Sequence, residues 1–190
     1  MSIVIKPSTG KARKVGAVPR ISRDASTGEF VHTQVPTVNA WHRWVATDRS
    51  KYLFFFRCAA AERIDLIRHG VEAVSVRNMS DDLGLAQKEF LSALRISQAT
   101  VSRKISEKKP LSPPDSEKVL GVASLVGQVQ TMISDSGGED EFDAAGWVGR
   151  WLTEPHRALG GSTPLQFLDT NEGLKLVSDL LSRQQSGAYS

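Results

Sequence analysis

The stretch LAQKEFLSALRISQATVSRKI, Leu85–Ile105, decides the fold. Its first half sets Phe90, Leu91 and Leu94 at helical spacing, one apolar face for a core. Arg95-Ile96-Ser97 leaves room only for a short turn. Ser97 is a good N-cap, and Ile96 before it with Val101 after it makes a hydrophobic staple for a second helix. Val101 and Ile105, four apart, turn inward, which leaves Gln98, Ala99, Thr100, Ser102, Arg103 and Lys104 toward solvent. Side chains of this kind reach base edges and phosphates when the N-terminal half of a helix enters a major groove. Lys108 and Lys109 follow, placed for backbone contact, and Gln87 at the head of the first helix can donate to a phosphate or brace Gln98. A helix pair used only for packing is the competing reading. An exposed face of Gln, Thr, Ser, Arg and Lys without an acid argues against it.

Outward from this pair the pattern stays helical from about Ser50 to the end. Upstream, the spacing predicts a helix running to about Arg68 that buries Ile64 and Ile67 and ends at Gly70, then a short helix over Val71–Met79. Downstream, Ser112-Pro113-Pro114-Asp115 is a helix start. Serine caps, proline fills a position whose N–H has no partner, and Asp115 meets the positive end of the dipole. That helix runs to about Ile133 through Val119, Leu120, Ala123 and Val126. SDSGGEDE, Ser134–Glu141, reads as a polar hinge; its acids lack the ligand spacing of a calcium loop. Phe142, Ala145, Val148 and Trp151 then recur at steps of three on one helix face. After the turn EPHRALGGSTP, Thr170 caps a last helix striped by Leu174, Val177, Leu180 and Leu181.

Charge divides the chain. Residues 1–50 carry eight basic and three acidic side chains and residues 51–110 carry eleven and seven, whereas residues 111–190 carry five and eleven. A basic front neutralises phosphates and an acidic back repels them, which suits two different partners. Residues 1–40 mix Lys, Arg, Ser, Thr, Gly and Pro without a sustained apolar period and read as a tail. Trp41 and Trp44, then Tyr52 to Phe56, are the first large apolar anchors.

The most distinctive block is WLTEPHRALGGSTPLQFLDTNEGLKLVSDLLSRQQSGAYS, Trp151–Ser190. Gly160-Gly161 allows a backbone turn closed to residues with a Cβ, Pro164 starts a short helix, and Trp151, Leu152, Leu159 and Leu165 are expected in the core. LGGSTP lacks the glycine spacing and the lysine of a nucleotide loop. The block resembles the toxin-binding domain that ends Xre/MbcA/ParS-type antitoxins. The resemblance rests on Trp151-Leu152, Pro155, Ala158 through Gly161, Thr163-Pro164-Leu165, Leu168, Thr170, Gly173, Val177, Leu180-Leu181 and Gly187. Leu66 to Val126, with the helix pair inside it, resembles the Xre-type helix-turn-helix that precedes this domain, so the likeness covers about Ile64 to Ser190.

With the resemblance the chain is expected to be all-α and in three parts, the first of them outside the likeness. A basic N-terminal extension spans residues 1–50, a helical helix-turn-helix domain 51–134 and a small toxin-binding domain 135–190. The resemblance implies an antitoxin of a type II toxin–antitoxin pair whose partner is a RES-domain toxin that consumes NAD or transfers ADP-ribose from it. Such antitoxins cover the NAD cleft with the C-terminal domain, and the toxin-bound helix-turn-helix represses the operon encoding both, so operator DNA is a second partner. Homodimers within larger assemblies are the family habit. The contacts to toxin are expected at Leu181, Arg183, Gln184, Ser186, Gly187, Tyr189 and Ser190. Arginine suits a diphosphate site, and Tyr189 can stack or fill an apolar slot. Trp151, Pro155, Leu159, Gly160, Gly161, Pro164, Thr170 and Gly173 are the shape-defining motif. Two features depart from the family: Ala99 stands where a basic residue is frequent, and the basic extension is unusual.

Other classes find little support. One cysteine, Cys58, allows no intramolecular disulfide, and His32, His42, His69 and His156 are scattered without metal-ligand spacing. No nucleophile–base or paired-acid arrangement stands out, so the chain reads as a non-enzyme needing neither metal nor cofactor. The opening residues lack a signal-peptide core and LFFF, Leu53–Phe56, is too short to span a bilayer; no membrane partner is expected, and the location is cytoplasmic. The alternative function is a stand-alone helix-turn-helix regulator with a different C-terminal partner.

Overall fold

A computed structural model of the chain describes residues 22–23, 30–31, 50–137 and 142–185. The chain divides into two units, Met1–Thr37 and Val38–Ser190. In the first, β1 (Ser22–Arg23) pairs antiparallel with β2 (Phe30–Val31), Ser22 opposite Val31 and Arg23 opposite Phe30. This minimal ladder was not announced by the aperiodic tail. Trp41 and Trp44 lie outside the described residues.

The second unit is helical over its described residues. It begins with two helices, α1 (Ser50–Arg57) and α2 (Ala60–His69), where the periodicity predicts one. The backbone turns extended at Ala59, whose N–H donates to Glu62 Oε2 at 3.1 Å and so starts α2 afresh. The break re-aims α2: Ile64 is 46% exposed and Ile67 only half-buried, instead of the buried pair expected. Gly70 ends α2 as read, with φ 84 and its N–H on Leu66 O. α3 (Val74–Leu83) starts later than expected because Val71 is held elsewhere. Its N–H donates to Ser116 Oγ at 2.9 Å and its carbonyl accepts from Leu111 N at 2.7 Å.

α4 (Gln87–Ala93) and α5 (Gln98–Ser106) form the pair read from the sequence. α6 (Pro113–Asp135) then runs through the middle of the unit, capped by Ser112, whose Oγ accepts from Asp115 N at 3.3 Å. α1, α2, α7 and α8 all pack on it, so Val119, Leu120, Val122, Leu125, Val126 and Val129 are buried around most of its circumference. α7 (Ala144–Thr153) is capped by Asp143, whose Oδ1 accepts from Gly146 N at 3.3 Å. That cap leaves Phe142 outside the helix and 37% exposed, so the expected apolar face begins only at Ala145. Two 3₁₀ turns, Arg157–Leu159 and Pro164–Phe167, lead to α8 (Asn171–Gln185).

One continuous core runs from Tyr52 to Leu181, shared by the regions expected as separate domains. α7 and the end of α3 approach closely enough that a Cβ on Gly149 would overlap the Leu83 carbonyl. The buried Tyr52 hydroxyl donates to Asp82 Oδ2 at 2.5 Å, and Lys51 Nζ lies 2.5 Å from the same oxygen, tying α1 to α3. Burial, reinforced by the Asp82 carboxylate, pushes the Tyr52 phenol well above its ordinary value. No helix among the described residues is long and apolar enough to cross a membrane.

Candidate functional site

The α4–α5 pair is built as its residues dictate. Phe90, Leu91 and Leu94 are buried, and so are Ile96 and Val101, the two halves of the staple. The turn needs a left-handed residue, supplied by Arg95 at φ 51, and Ser97 Oγ accepts from Thr100 N at 3.4 Å. Lys118 on α6 holds the end of α4, its Nζ donating to Leu94 O at 2.9 Å. This long-range brace has no signature in residue spacing.

Among the residues expected to read DNA, Gln98, Ala99, Ser102, Arg103 and Lys108 are exposed. Gln87, in the first turn of α4, and Thr100 are half-buried. Lys104 is also half-buried, and its Nζ donates to Pro110 O at 2.7 Å, so it braces the chain after α5 rather than projecting as a free cation. Lys109 lies 3.0 Å from Glu107, whose carboxyl it holds below its usual range. The positive charge of α5 and the loop after it is therefore carried outward mainly by Arg103 and Lys108.

The C-terminal block is organised around Trp151. Its buried indole stacks on Trp147 with centroids 6.1 Å apart and meets the His156 ring at 4.8 Å. The turn above it closes through His156 N to Ser162 O at 3.1 Å and Gly161 N to His156 O at 3.0 Å. Gly160 (φ 64) and Gly161 (φ 86) both take the positive φ that the sequence reading asked of them. Pro155 is exposed, and Leu159 is half-buried rather than core, because it sits in the 3₁₀ turn at the rim of the Trp151 cluster. Pro164 and Leu165 are buried at the start of the second 3₁₀ turn, which touches α4, α7 and α8. Thr170 Oγ1 accepts from Gly173 N at 3.0 Å, and Gly173 packs so closely that a Cβ there would overlap Phe167 O.

α8 presents two faces. Leu174, Val177, Leu180 and Leu181 are buried, while Glu172, Lys175, Leu176, Asp179, Arg183 and Gln184 are exposed. Leu181, expected as a toxin contact, is 2% exposed: it anchors the helix and presents nothing outward. Ser186, Gly187, Tyr189 and Ser190 lie outside the described residues. Sequence reasoning missed Gln128, a buried amide on α6. Its Nε2 donates to Ser178 O at 3.0 Å and to Ser182 Oγ at 2.9 Å, and its Oε1 accepts from Ser178 Oγ at 2.8 Å. It also missed Arg95, whose Nε lies 2.7 Å from Asp169 Oδ2. Both pairs join distant parts of the chain and leave no local pattern.

Comparison with known proteins follows the same division. Residues 62–124 match the antitoxin Xre-like helix-turn-helix domain, and residues 138–187 match the antitoxin Xre/MbcA/ParS C-terminal toxin-binding domain. Over 138 residues the chain is 43% identical to a Prs ADP-ribosylating antitoxin of Sphingobium sp. (strain YBL2), covering 73% of this chain and 87% of that protein. Over 88 residues it is 26% identical to Antitoxin Xre of Pseudomonas putida (strain KT2440), covering 46% of this chain and 50% of that one.

Proposed function

The chain belongs to the Xre family of antitoxins, a helix-turn-helix domain followed by a toxin-binding domain, and on that premise we propose how it acts. It neutralises a RES-domain, NAD-consuming toxin by binding it and covering its NAD cleft with the end of the C-terminal domain. Arg183, Gln184 and the terminal residues through Ser190 rim or enter that cleft. The chain performs no reaction itself and works as a homodimer in the cytoplasm. The similarity to a relative named a Prs ADP-ribosylating antitoxin favours a toxin that transfers ADP-ribose from NAD over one that only hydrolyses it.

Through α5 the same chain represses the operon encoding the pair. Gln98, Ala99, Thr100 and Ser102 face the major groove, and Gln87, Arg103 and Lys108 meet phosphates. Lys104 supports them from within the chain.

The observation that carries this reading is the coexistence, in one core, of an acid-free exposed face on α5 and a helix that leads into the terminal tail. Co-expression with the product of the adjacent gene tests it. The expected result is a stable complex, cell growth, and a cellular NAD pool held near its normal level. A chain that retains no linked NAD-consuming protein in a pull-down would refute it.

A further inference from the structure

We propose that the groove between α2 and α8 is part of the toxin-docking surface, so that docking extends beyond the C-terminal segment into the first helices of the unit. This rests on the antitoxin reading above. The groove encloses about 380 Å³. Ile64 and Ile67 of α2 form one wall, Leu174 and Lys175 of α8 the other, and Leu120 and Leu125 of α6 the floor. Ile64 is 46% exposed and continues the apolar lining of Ile67, Leu120, Leu125 and Leu174, so the exposed apolar surface is contiguous and not a lone side chain. The break at Ala59 turns it there.

The chemistry of the rim selects the occupant. Arg63, Glu117 and Lys175 put both signs of charge around an apolar floor, the anatomy of a protein interface with a dry centre and a polar edge. A nucleic acid has no apolar side chain to fill such a floor. The occupant is therefore an apolar protrusion of the toxin with charged flanks. Continuity argues for the toxin over other proteins: one wall is α8, inside the segment matched by the toxin-binding domain, and α8 runs on into the tail placed at the NAD cleft. The Gln128 bonds to Ser178 and Ser182 fix α8 from beneath, so this wall is formed before the toxin arrives.

The test uses the full chain and the adjacent-gene toxin, with Ile64→Glu and the milder Ile64→Ser. Phe54→Glu, at a 53% exposed apolar site outside the groove, is the control for adding a charge. Toxin affinity, circular dichroism, operator binding and oligomeric state are measured for each. The expected result is at least a tenfold loss of toxin affinity for Ile64→Glu, a smaller loss for Ile64→Ser and none for Phe54→Glu, with helicity and operator binding retained. Unchanged toxin affinity in both Ile64 variants overturns the proposal. That holds whether the oligomeric state shifts, as a second copy in the groove requires, or the melting temperature falls, as residues 1–49 packed there require. If the unaltered chain does not bind the toxin, the antitoxin reading fails first, so the affinity of the unaltered chain distinguishes the two failures.

Discussion

Arg95 Nε stands 2.7 Å from Asp169 Oδ2, an ion pair between the turn of the helix-turn-helix pair and the residue just before the cap of α8. Arg95 is largely exposed and Asp169 partly so, which places the pair among screened surface bridges worth at most about 1 kcal/mol. Arg95→Gln and Asp169→Asn should each lower stability by less than about 1 kcal/mol, and their double-mutant coupling should shrink as salt is raised. Urea melts at low and high salt check this.

Arg103 and Lys104 should separate cleanly in DNA binding. Arg103→Ala is expected to weaken binding about equally on all sequences and to reduce the salt slope by about 0.9. Lys104→Ala, whose ammonium is engaged by Pro110 O at 2.7 Å, should change that slope less. Gln98→Ala should instead relax preference at one base pair by about 1–3 kcal/mol. Titrations of operator and scrambled duplexes across a salt series give all three values.

Gln128→Leu removes an amide that makes three hydrogen bonds to α8 and leaves the Ser178 hydroxyl, which donates to it, facing a hydrocarbon. The expected cost is about 1–3 kcal/mol. For a chain of this size that is a drop of about 2–4 °C in melting temperature per kcal/mol, measurable by calorimetry. Toxin affinity should fall as well, because α8 loses its brace.

Tyr52 sets an alkaline limit. Its phenol is raised above the ordinary value of 10.0 by burial and by Asp82, so the folded form holds its proton where the unfolded form releases it. The stabilisation from Tyr52 is therefore complete below pH 10 and declines progressively above it, up to the raised folded value. Tyr52→Phe should flatten this alkaline decline while losing the bond to Asp82. Denaturant midpoints from pH 8 to pH 11 decide it.

Local chemistry was legible in the sequence, and long-range chemistry was not. Ser97, Ser112 and Thr170 cap the helices read for them because a cap is settled within three residues. The break at Ala59 was hidden because apolar periodicity continues across FFFRCAAAERI while the backbone bends. The start of α3 was misread because Val71 answers to Ser116, 45 residues away. Leu181 shows the limit of a position argument. It lies two residues before an exposed arginine yet points into the core, as the helical period of α8 requires. No spacing in the chain assigns a contact to the residues after Gln185.

The backbone contact of Gly149 with Leu83 bears on how the chain is lost in a living cell. The helix-turn-helix pair and the segment matched by the toxin-binding domain share one buried core, so opening either half is expected to open the other. Under the proposed function, a protease that seized the opened chain would free promoter and poison in one stroke, and resynthesis and intoxication would start from the same instant.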